Sequence, residues 1–183
     1  MKSIKKNILL IGSDSGIAQK FLKFAIKNGD RLTTVSRKMD SVVKSNIHHQ
    51  LDLSDMQKVD TFAKNLRKSN FDVFIYCPGI FIPEDTTCLT TTEIINQMNV
   101  NLLSAIALSI PILKIMELKK KGLMLFIGSS SSYAGFQKTS IYCSSKHGLL
   151  GYARSISEEF RNSGIRISCI SPGSINTKMS IPL

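Results

Sequence analysis

Short apolar runs alternate with longer amphipathic stretches along this chain. The run at residues 7–11 stops at Gly12 and has no polar residue after its first, which is typical of a parallel strand covered on both faces. Five more strands are predicted at residues 32–36, 47–51, 72–77, 123–127 and 165–170. The run at 72–77 ends at Pro78-Gly79, and the run at 165–170 is closed by Pro172-Gly173.

Between these strands, apolar residues recur every three or four positions, which predicts helices with one buried face. We expect helices at about 17–28, from an N-cap at Ser54 to about residue 66, at 91–118 and at 141–161. Strands that alternate with helices in this way predict right-handed βαβ units. The expected fold is α/β, a doubly wound parallel sheet of six or seven strands with helices on both faces.

Length and composition predict one domain. The chain has 183 residues, of which 43% are apolar, so residues 1–183 are expected to share one core. The segment 100–116 is largely apolar, but Asn101, Pro111 and Lys114 interrupt it and it is short for a membrane span. We therefore expect a buried or interface helix there, and no membrane partner.

The charge balance indicates an anionic ligand. Lys and Arg number 24 against 13 Asp and Glu, a formal net charge of +11. Recognition motifs for nucleic acid are not found, so a phosphorylated small molecule is favoured over DNA or RNA. The four cysteines contain no CxxC pair and are expected to be reduced thiols in a cytoplasmic protein. The three histidines lack metal-ligand spacing, so no metal site is expected.

A glycine-containing loop follows the first predicted strand and opens the first helix. It reads Gly12-Ser13-Asp14-Ser15-Gly16-Ile17-Ala18. Glycine lets the backbone turn tightly beside a ligand, and the helix that follows offers unpaired N–H groups to a pyrophosphate. The second strand ends at Ser36-Arg37, where NAD-preferring sites place an acid. A basic residue there accommodates a 2′-phosphate, so NADP(H) is favoured over NAD(H).

Tyr142 and Lys146 stand four residues apart on one face of the last predicted helix. Ser129 lies earlier, after the fifth strand, and Asn101 lies within Asn99-Val100-Asn101-Leu102. With these residues in this order, the chain resembles the short-chain dehydrogenase/reductase family over nearly its whole length. The resemblance implies a Rossmann-type dinucleotide-binding domain. It also implies NAD(P)-dependent interconversion of a carbonyl and an alcohol, most simply reduction by NADPH of a small-molecule carbonyl substrate.

The resemblance also implies residue roles. Tyr142 would be the acid/base, with its pKa lowered by Lys146; Ser129 would bind the substrate oxygen, and Asn101 would hold a water that links Lys146 to solvent. The implied cofactor contacts are Gly12, Ser13, Ser15, Gly16, Ile17, Ser36, Arg37, Asp52, Leu53, Gly79, Tyr142, Lys146, Pro172, Gly173, Ile175 and Thr177. An alignment of Ser131-Ser132-Tyr133-Ala134-Gly135 with a common family string points to Ser132 instead of Ser129, and both stay open.

Two departures from the family pattern leave alternatives. The usual Asn-Asn-Ala-Gly after the fourth strand is here Tyr76-Cys77-Pro78-Gly79, and the sequence stops at Leu183, before the usual substrate-covering segment. If nothing follows, the sixth strand becomes a sheet edge and the substrate pocket lacks its lid. A catalytically impaired dinucleotide-binding protein, a sensor or pseudoenzyme, is therefore the alternative. The long helices could still pair two copies of the chain, so a homodimer is expected.

Overall fold

A six-stranded parallel sheet forms the centre of the structure. The computed structural model describes residues 5–38, 47–83 and 85–174. Within these residues the strands are β1 Asn7–Ile11, β2 Arg31–Ser36, β3 Ile47–Gln50, β4 Val73–Tyr76, β5 Gly122–Ile127 and β6 Ile165–Ile170. Their order across the sheet is β3-β2-β1-β4-β5-β6, which is the Rossmann order. The α/β prediction is confirmed, with six strands in the described part of the chain.

Helices cover both faces of the sheet. They are α1 Gly16–Lys27, α2 Met56–Leu66, α3 Thr91–Met98, α4 Ser104–Lys119 and α5 Ser140–Glu159. The prediction that Ser54 caps the second helix is wrong: the cap is Asp55, whose Oδ1 accepts a hydrogen bond from the amide of Lys58 at 3.1 Å. Ser54 instead donates through its amide and hydroxyl to the carboxylate of Asp52, which takes it out of the capping position.

The helix predicted at 91–118 is interrupted. A π-helical turn, Asn99–Leu103, separates α3 from α4. The hydroxyl of Ser104 donates to the carbonyl of Asn99 at 2.7 Å, and the buried phenol of Tyr76 donates to the carbonyl of Val100 at 2.5 Å. Both bonds come from side-chain hydroxyls rather than from the backbone amides of the helix, and they stabilise the wide turn. π-helical turns are rare in proteins and are often found at functional sites.

The core has two layers because β1 and β4 bury alternate residues on opposite faces. Leu9 and Phe74 pack with α2, α4 and α5, whereas Ile8 and Leu10 pack with α1. Each large apolar side chain buried in this way contributes roughly 1.5–3 kcal/mol. Because both faces of the central strands are covered, the carboxyl ends of the strands are the open edge where a ligand can reach the backbone.

The helical segment Thr91–Lys119 is long and apolar enough to cross a membrane, by length and composition alone. Half of its most apolar stretch is buried in the fold, and Leu108, Ile112 and Met116 are almost fully covered. This burial is what the core helix of a globular domain requires, as the interruptions by Asn101 and Pro111 predict. In the described sheet, β6 is an edge strand. The four cysteines, Cys77, Cys88, Cys143 and Cys169, are free thiols.

Candidate functional site

The glycine loop lies at the point where the strand order reverses, between β1 and β4. Gly12 has φ +75°, a conformation that favours glycine, and its amide donates to the carbonyl of Val35 at 2.7 Å. A Cβ on Gly12 would lie 2.8 Å from Cγ of Pro78, in the loop that follows β4. Only glycine therefore allows these two loops to meet. In open α/β sheets this crevice is where dinucleotides bind.

The start of α1 completes a cradle for an anion. Ser15 caps the helix by accepting a hydrogen bond from the amide of Ala18 at 3.2 Å, and Gly16 begins it. The hydroxyl of Ser13 is fully buried and has no hydrogen-bond partner among the described residues. A buried orphan hydroxyl at a helix N-terminus fits an absent phosphate group, because a phosphate oxygen would satisfy it. Ile17 is half-buried behind the loop.

The turn after β2 brings a cation and an anion to the same end of the sheet. The guanidinium of Arg37 is exposed and acts on Asp52. The pKa of Asp52 is lowered first by the hydrogen bonds from Ser54 and, to a smaller degree, by the charge of Arg37. Ser36 is buried, and its hydroxyl donates to the carbonyl of Lys38 at 2.7 Å. Leu53, next to Asp52, is buried beneath this region.

The phenol of Tyr142 and the hydroxyl of Ser129 lie beside each other at the carboxyl end of β5, close enough for Ser129 to act on the pKa of the phenol. Burial raises the pKa of Tyr142, and the interaction with Ser129 partly opposes this effect. The expected lowering of this pKa by Lys146 is not what the structure gives, because the loss of water around the phenol dominates. The hydroxyl of Ser132 instead accepts from the amide of Ser129 at 3.2 Å and is almost completely buried. Ser129 is thus the serine that contacts the tyrosine, and Ser132 supports the backbone of Ser129.

Lys146 is buried beside Tyr142. Its Nζ lies 5.8 Å from the centroid of the Tyr142 ring and donates to the carbonyl of Ile127 at 3.0 Å. Burial lowers the pKa of Lys146 to about 8. The ionisable neighbours that act on it are the thiols of Cys77 and Cys169, which burial itself keeps neutral by raising their pKa. Among the described residues, the ammonium therefore meets no carboxylate that would offset its loss of water.

Asn101 sits in the π-helical turn and is fully buried. Its Nδ2 donates to the carbonyl of Ile80 at 3.0 Å and to the hydroxyl of Ser145 at 3.0 Å, while its Oδ1 accepts from the amide of Ile80 at 2.8 Å. The expected role of Asn101 in holding a water stays a prediction. The contacts of Asn101 link the segment after β4 to the residue that precedes Lys146.

The remaining predicted cofactor contacts lie at the same edge or outside the described residues. Gly79 lies three residues after the end of β4. The carbonyl of Pro172, which precedes Gly173, accepts from the amide of Ser130 at 2.9 Å. Ile175 and Thr177 lie outside the described residues. Within residues 5–38, 47–83 and 85–174, no group of three or more His, Cys, Asp or Glu side chains could hold a metal ion.

Two side chains near this edge were not predicted from the sequence. The ring of Phe81 lies 5.3 Å from the ring of Tyr142, centroid to centroid, one residue after the Ile80 backbone that Asn101 holds. His48 contacts the turn after β2 from the neighbouring strand β3. Neither has a sequence signal, because both contacts depend on tertiary placement. A depression of about 680 Å³ lies at the opposite end of the sheet, near Asn7 and Asn70, and contains none of the predicted site residues.

Comparison with known proteins agrees with this geometry. The family model described as short chain dehydrogenase matches residues 6–183. A 3-oxoacyl-(acyl-carrier-protein) reductase of Buchnera aphidicola is 27% identical over 98% of this chain and 78% of its own length. The solved structure of ElxO with NADP bound is 27% identical, with a TM-score of 0.84 over 96% of this chain and 76% of that chain. A 4-hydroxyisoleucine dehydrogenase complexed with NADH and succinate is 25% identical, with a TM-score of 0.83 over 93% and 83%.

The Rossmann sheet and the cradle at its switch point define the class: an NAD(P)-binding oxidoreductase fold. Since the family model covers nearly the whole sequence, the chain belongs to the short-chain dehydrogenase/reductase family. Its relatives are oxidoreductases, and the two solved neighbours carry different nicotinamide cofactors. The choice between NADP(H) and NAD(H) therefore rests on the residues of this chain.

Proposed function

We propose that this protein reduces a small-molecule carbonyl to an alcohol with NADPH, using Tyr142 as the acid. The observation that carries the proposal is the contact of Ser129 with Tyr142, beside the buried ammonium of Lys146, at the edge that also holds the Gly12 loop. A proton donor and a second hydroxyl that lie beside each other can both reach the oxygen of one carbonyl. The reductase activity of the Buchnera relative supports the same direction.

The residues at the switch point fit a dinucleotide. The orphan hydroxyl of Ser13 and the N-terminus of α1 would hold the pyrophosphate, and Gly12 leaves room for it beside Pro78. Asp52 and Leu53 would border the adenine, and Gly79 with Pro172 and Gly173 would border the rest of the cofactor. When bound, the reduced nicotinamide supplies a hydride to the carbonyl carbon.

Tyr142 would give its proton to the carbonyl oxygen as the alcohol forms. A phenol with an ordinary pKa near 10 is protonated at neutral pH, and burial of Tyr142 raises its pKa further. Protonation is the state that reduction requires. The charge of Lys146 then stabilises the phenolate that is left, and Ser129 holds the substrate oxygen in line with the proton. The same groups act in reverse for oxidation.

The preference for NADP(H) is proposed from the turn after β2. Arg37 is exposed there, and neither Ser36 nor Arg37 supplies the carboxylate that would bind a free ribose 2′-hydroxyl. The carboxylate of Asp52 lies close enough to Arg37 for their charges to interact, which offsets part of the positive charge that a phosphate would meet. A guanidinium can still bind a phosphate bidentately, which gives NADPH an interaction that NADH lacks.

Calorimetric titration of the purified protein with NADPH and with NADH tests the cofactor. We expect tighter binding of NADPH, followed by oxidation of NADPH when carbonyl compounds are screened. The Tyr142→Phe variant should bind NADPH normally and lose turnover, whereas Tyr133→Phe, at an exposed tyrosine outside the site, should keep it. NADPH binding with no turnover on any carbonyl would favour a sensor or pseudoenzyme instead.

We also propose that two copies associate through α4 and α5. Leu103 and Ile110 stand two helical turns apart on one side of the π-turn and α4, and 41% and 44% of their surfaces are exposed. On α5, the side of Gly151 is open, with no atom within 4 Å of the position of a Cβ. Light scattering should give a dimer mass that Ile110→Glu lowers to that of the monomer. A cytoplasmic location, and the lack of nucleic-acid and membrane partners, stay predictions.

A further inference from the structure

The turn after β2 is fixed by side chains from its own strand and from β3. The carbonyl oxygen of Lys38 accepts twice, from the hydroxyl of Ser36 at 2.7 Å and from Nε2 of His48 at 3.0 Å. The carbonyl oxygen of Arg37 accepts from Nε2 of Gln50 at 2.9 Å. Two successive carbonyl groups, one before and one after the Cα of Lys38, are therefore held by β3.

His48 is itself held in one orientation. Its Nδ1 lies 2.9 Å from the hydroxyl of Thr34, which is buried on β2, and Thr34 and His48 are paired in the β2–β3 register. Because a carbonyl oxygen can only accept, the nitrogen that faces Lys38 must carry the hydrogen. The ring thus connects the body of β2 to the turn that follows it.

We propose that His48 is a positioning residue for the adenosine 2′-phosphate of NADPH. This inference rests on the proposed use of NADP(H). His48 donates a hydrogen bond to the Lys38 carbonyl oxygen and so ties this carbonyl to β3. The turn then holds the neighbouring Arg37 in one arrangement. A turn that is ordered before the cofactor binds loses less entropy when the phosphate arrives. NADH carries a neutral 2′-hydroxyl at this place, so it offers Arg37 no anion and gains little from the arrangement.

Four variants separate this role from a general structural one. His48→Ala removes the donor. His48→Gln places an amide donor about as far out as Nε2, whereas His48→Asn places one only as far as Nδ1. His49→Gln is the matched control, because the next side chain on β3 points to the opposite face and packs edge-on against Phe62, 5.1 Å between ring centroids. Calorimetry gives the Kd of NADPH and of NADH for each variant.

We expect His48→Ala and His48→Asn to raise the Kd of NADPH about tenfold, which is the worth of one hydrogen bond, and to change that of NADH less than about twofold. His48→Gln should return the Kd of NADPH to within about threefold of the wild type, and His49→Gln should leave both constants unchanged.

Equal weakening of both cofactors in His48→Ala would overturn the proposal, and so would a Gln variant no better than the Asn variant. If the Ala variant fails to fold, the comparison of Gln with Asn still decides, because the two amides differ only in reach. A wild-type protein that binds NADH as tightly as NADPH would mean that the proposed cofactor is wrong. The cofactor is judged from the Kd values of the wild type alone, whereas the role of His48 is judged from the differences between variants. The two failures can therefore be told apart.

Discussion

The side chain of Asn101 forms a two-way hydrogen-bonded pair with the backbone of Ile80. Its Oδ1 accepts from the Ile80 amide at 2.8 Å and its Nδ2 donates to the Ile80 carbonyl at 3.0 Å, as a neighbouring strand would. The π-helical turn carries Asn101 to this place, where it is fully buried. Because Phe81 follows Ile80 and its ring packs on Tyr142, the pair sets one wall of the candidate site.

We predict that Asn101→Asp lowers kcat/KM for carbonyl reduction by about tenfold or more. A carboxylate can accept from the Ile80 amide but cannot donate to the Ile80 carbonyl or to Ser145, and its burial is costly. Hydrogen exchange at the Ile80 amide should become faster. Asn65→Asp, on the exposed side of α2, is the control. Slow exchange at Ile80 with normal activity would show that the pair does not position the site.

Ser129 and Ser132 are expected to differ in how far their loss lowers kcat. Ser129→Ala removes the hydroxyl beside Tyr142 and should reduce kcat about 100-fold. It also removes the acceptor of the Ser131 amide, which should cost about 1 kcal/mol of unfolding free energy. Ser132→Ala removes the acceptor of the Ser129 amide, and should cost about 1 kcal/mol of unfolding free energy with only a few-fold loss of kcat. Steady-state kinetics and urea unfolding of both variants decide. The reverse pattern would make Ser132 the catalytic serine.

Much of the fold could be predicted from local patterns. The covered strands β1 and β4 read as apolar runs, and the turns at Gly12 and Pro78 mark their ends. Glycine permits a positive φ that other residues disfavour, and proline has no N–H with which to continue a strand. Asp55 rather than Ser54 caps α2, a difference of one residue between two side chains that both favour caps. Local propensity cannot separate such neighbours, since the choice follows from the bonds that Ser54 makes with Asp52.

The site was harder to predict than the fold. Tyr142, Lys146 and Ser129 are candidates because they match a family pattern at fixed places in the chain, and their catalytic roles stay predictions. The π-turn was missed because one extra residue in a turn only shifts the phase of a helical pattern. The contact of His48 with Lys38 was missed because it depends on the register of β3 against β2. Contacts between strands leave no signal in the spacing of residues along one strand.

We predict that Lys146→Met makes the cofactor-free protein more stable at neutral pH by about 1–2 kcal/mol. The folded-state pKa of Lys146, about 8, lies below its ordinary value of 10.5, so folding disfavours the ammonium form. This difference corresponds to about 3 kcal/mol, from which the lost hydrogen bond to Ile127 subtracts about 1–2.

In the wild type, the free-energy cost of burying the charged Lys146 is complete below pH 8. It decreases as the pH rises from 8 toward the ordinary pKa of 10.5, and above that value it is gone. The advantage of the Met variant should therefore shrink over that range. Urea unfolding of both proteins at pH 7 and at alkaline pH measures it, and the exposed substitution Lys114→Met is the control. A variant that is less stable than the wild type at pH 7 would mean that water or an anion relieves the buried charge.

The rate of carbonyl reduction should fall with rising pH, with a midpoint near the pKa of Lys146, about 8. Tyr142 must hold its proton for reduction, and its raised pKa keeps it protonated at pH 8. The first group to lose its required proton is therefore the ammonium of Lys146, which stabilises the phenolate. Above the midpoint kcat/KM should drop about tenfold per pH unit, since this ratio reports the pKa values of the free enzyme. Lys146→Arg keeps its charge at every accessible pH and, if active, should shift the fall to the titration of Tyr142. A kcat/KM that stays constant from neutral pH to about 10 in the wild type would contradict the assignment of the charge to Lys146.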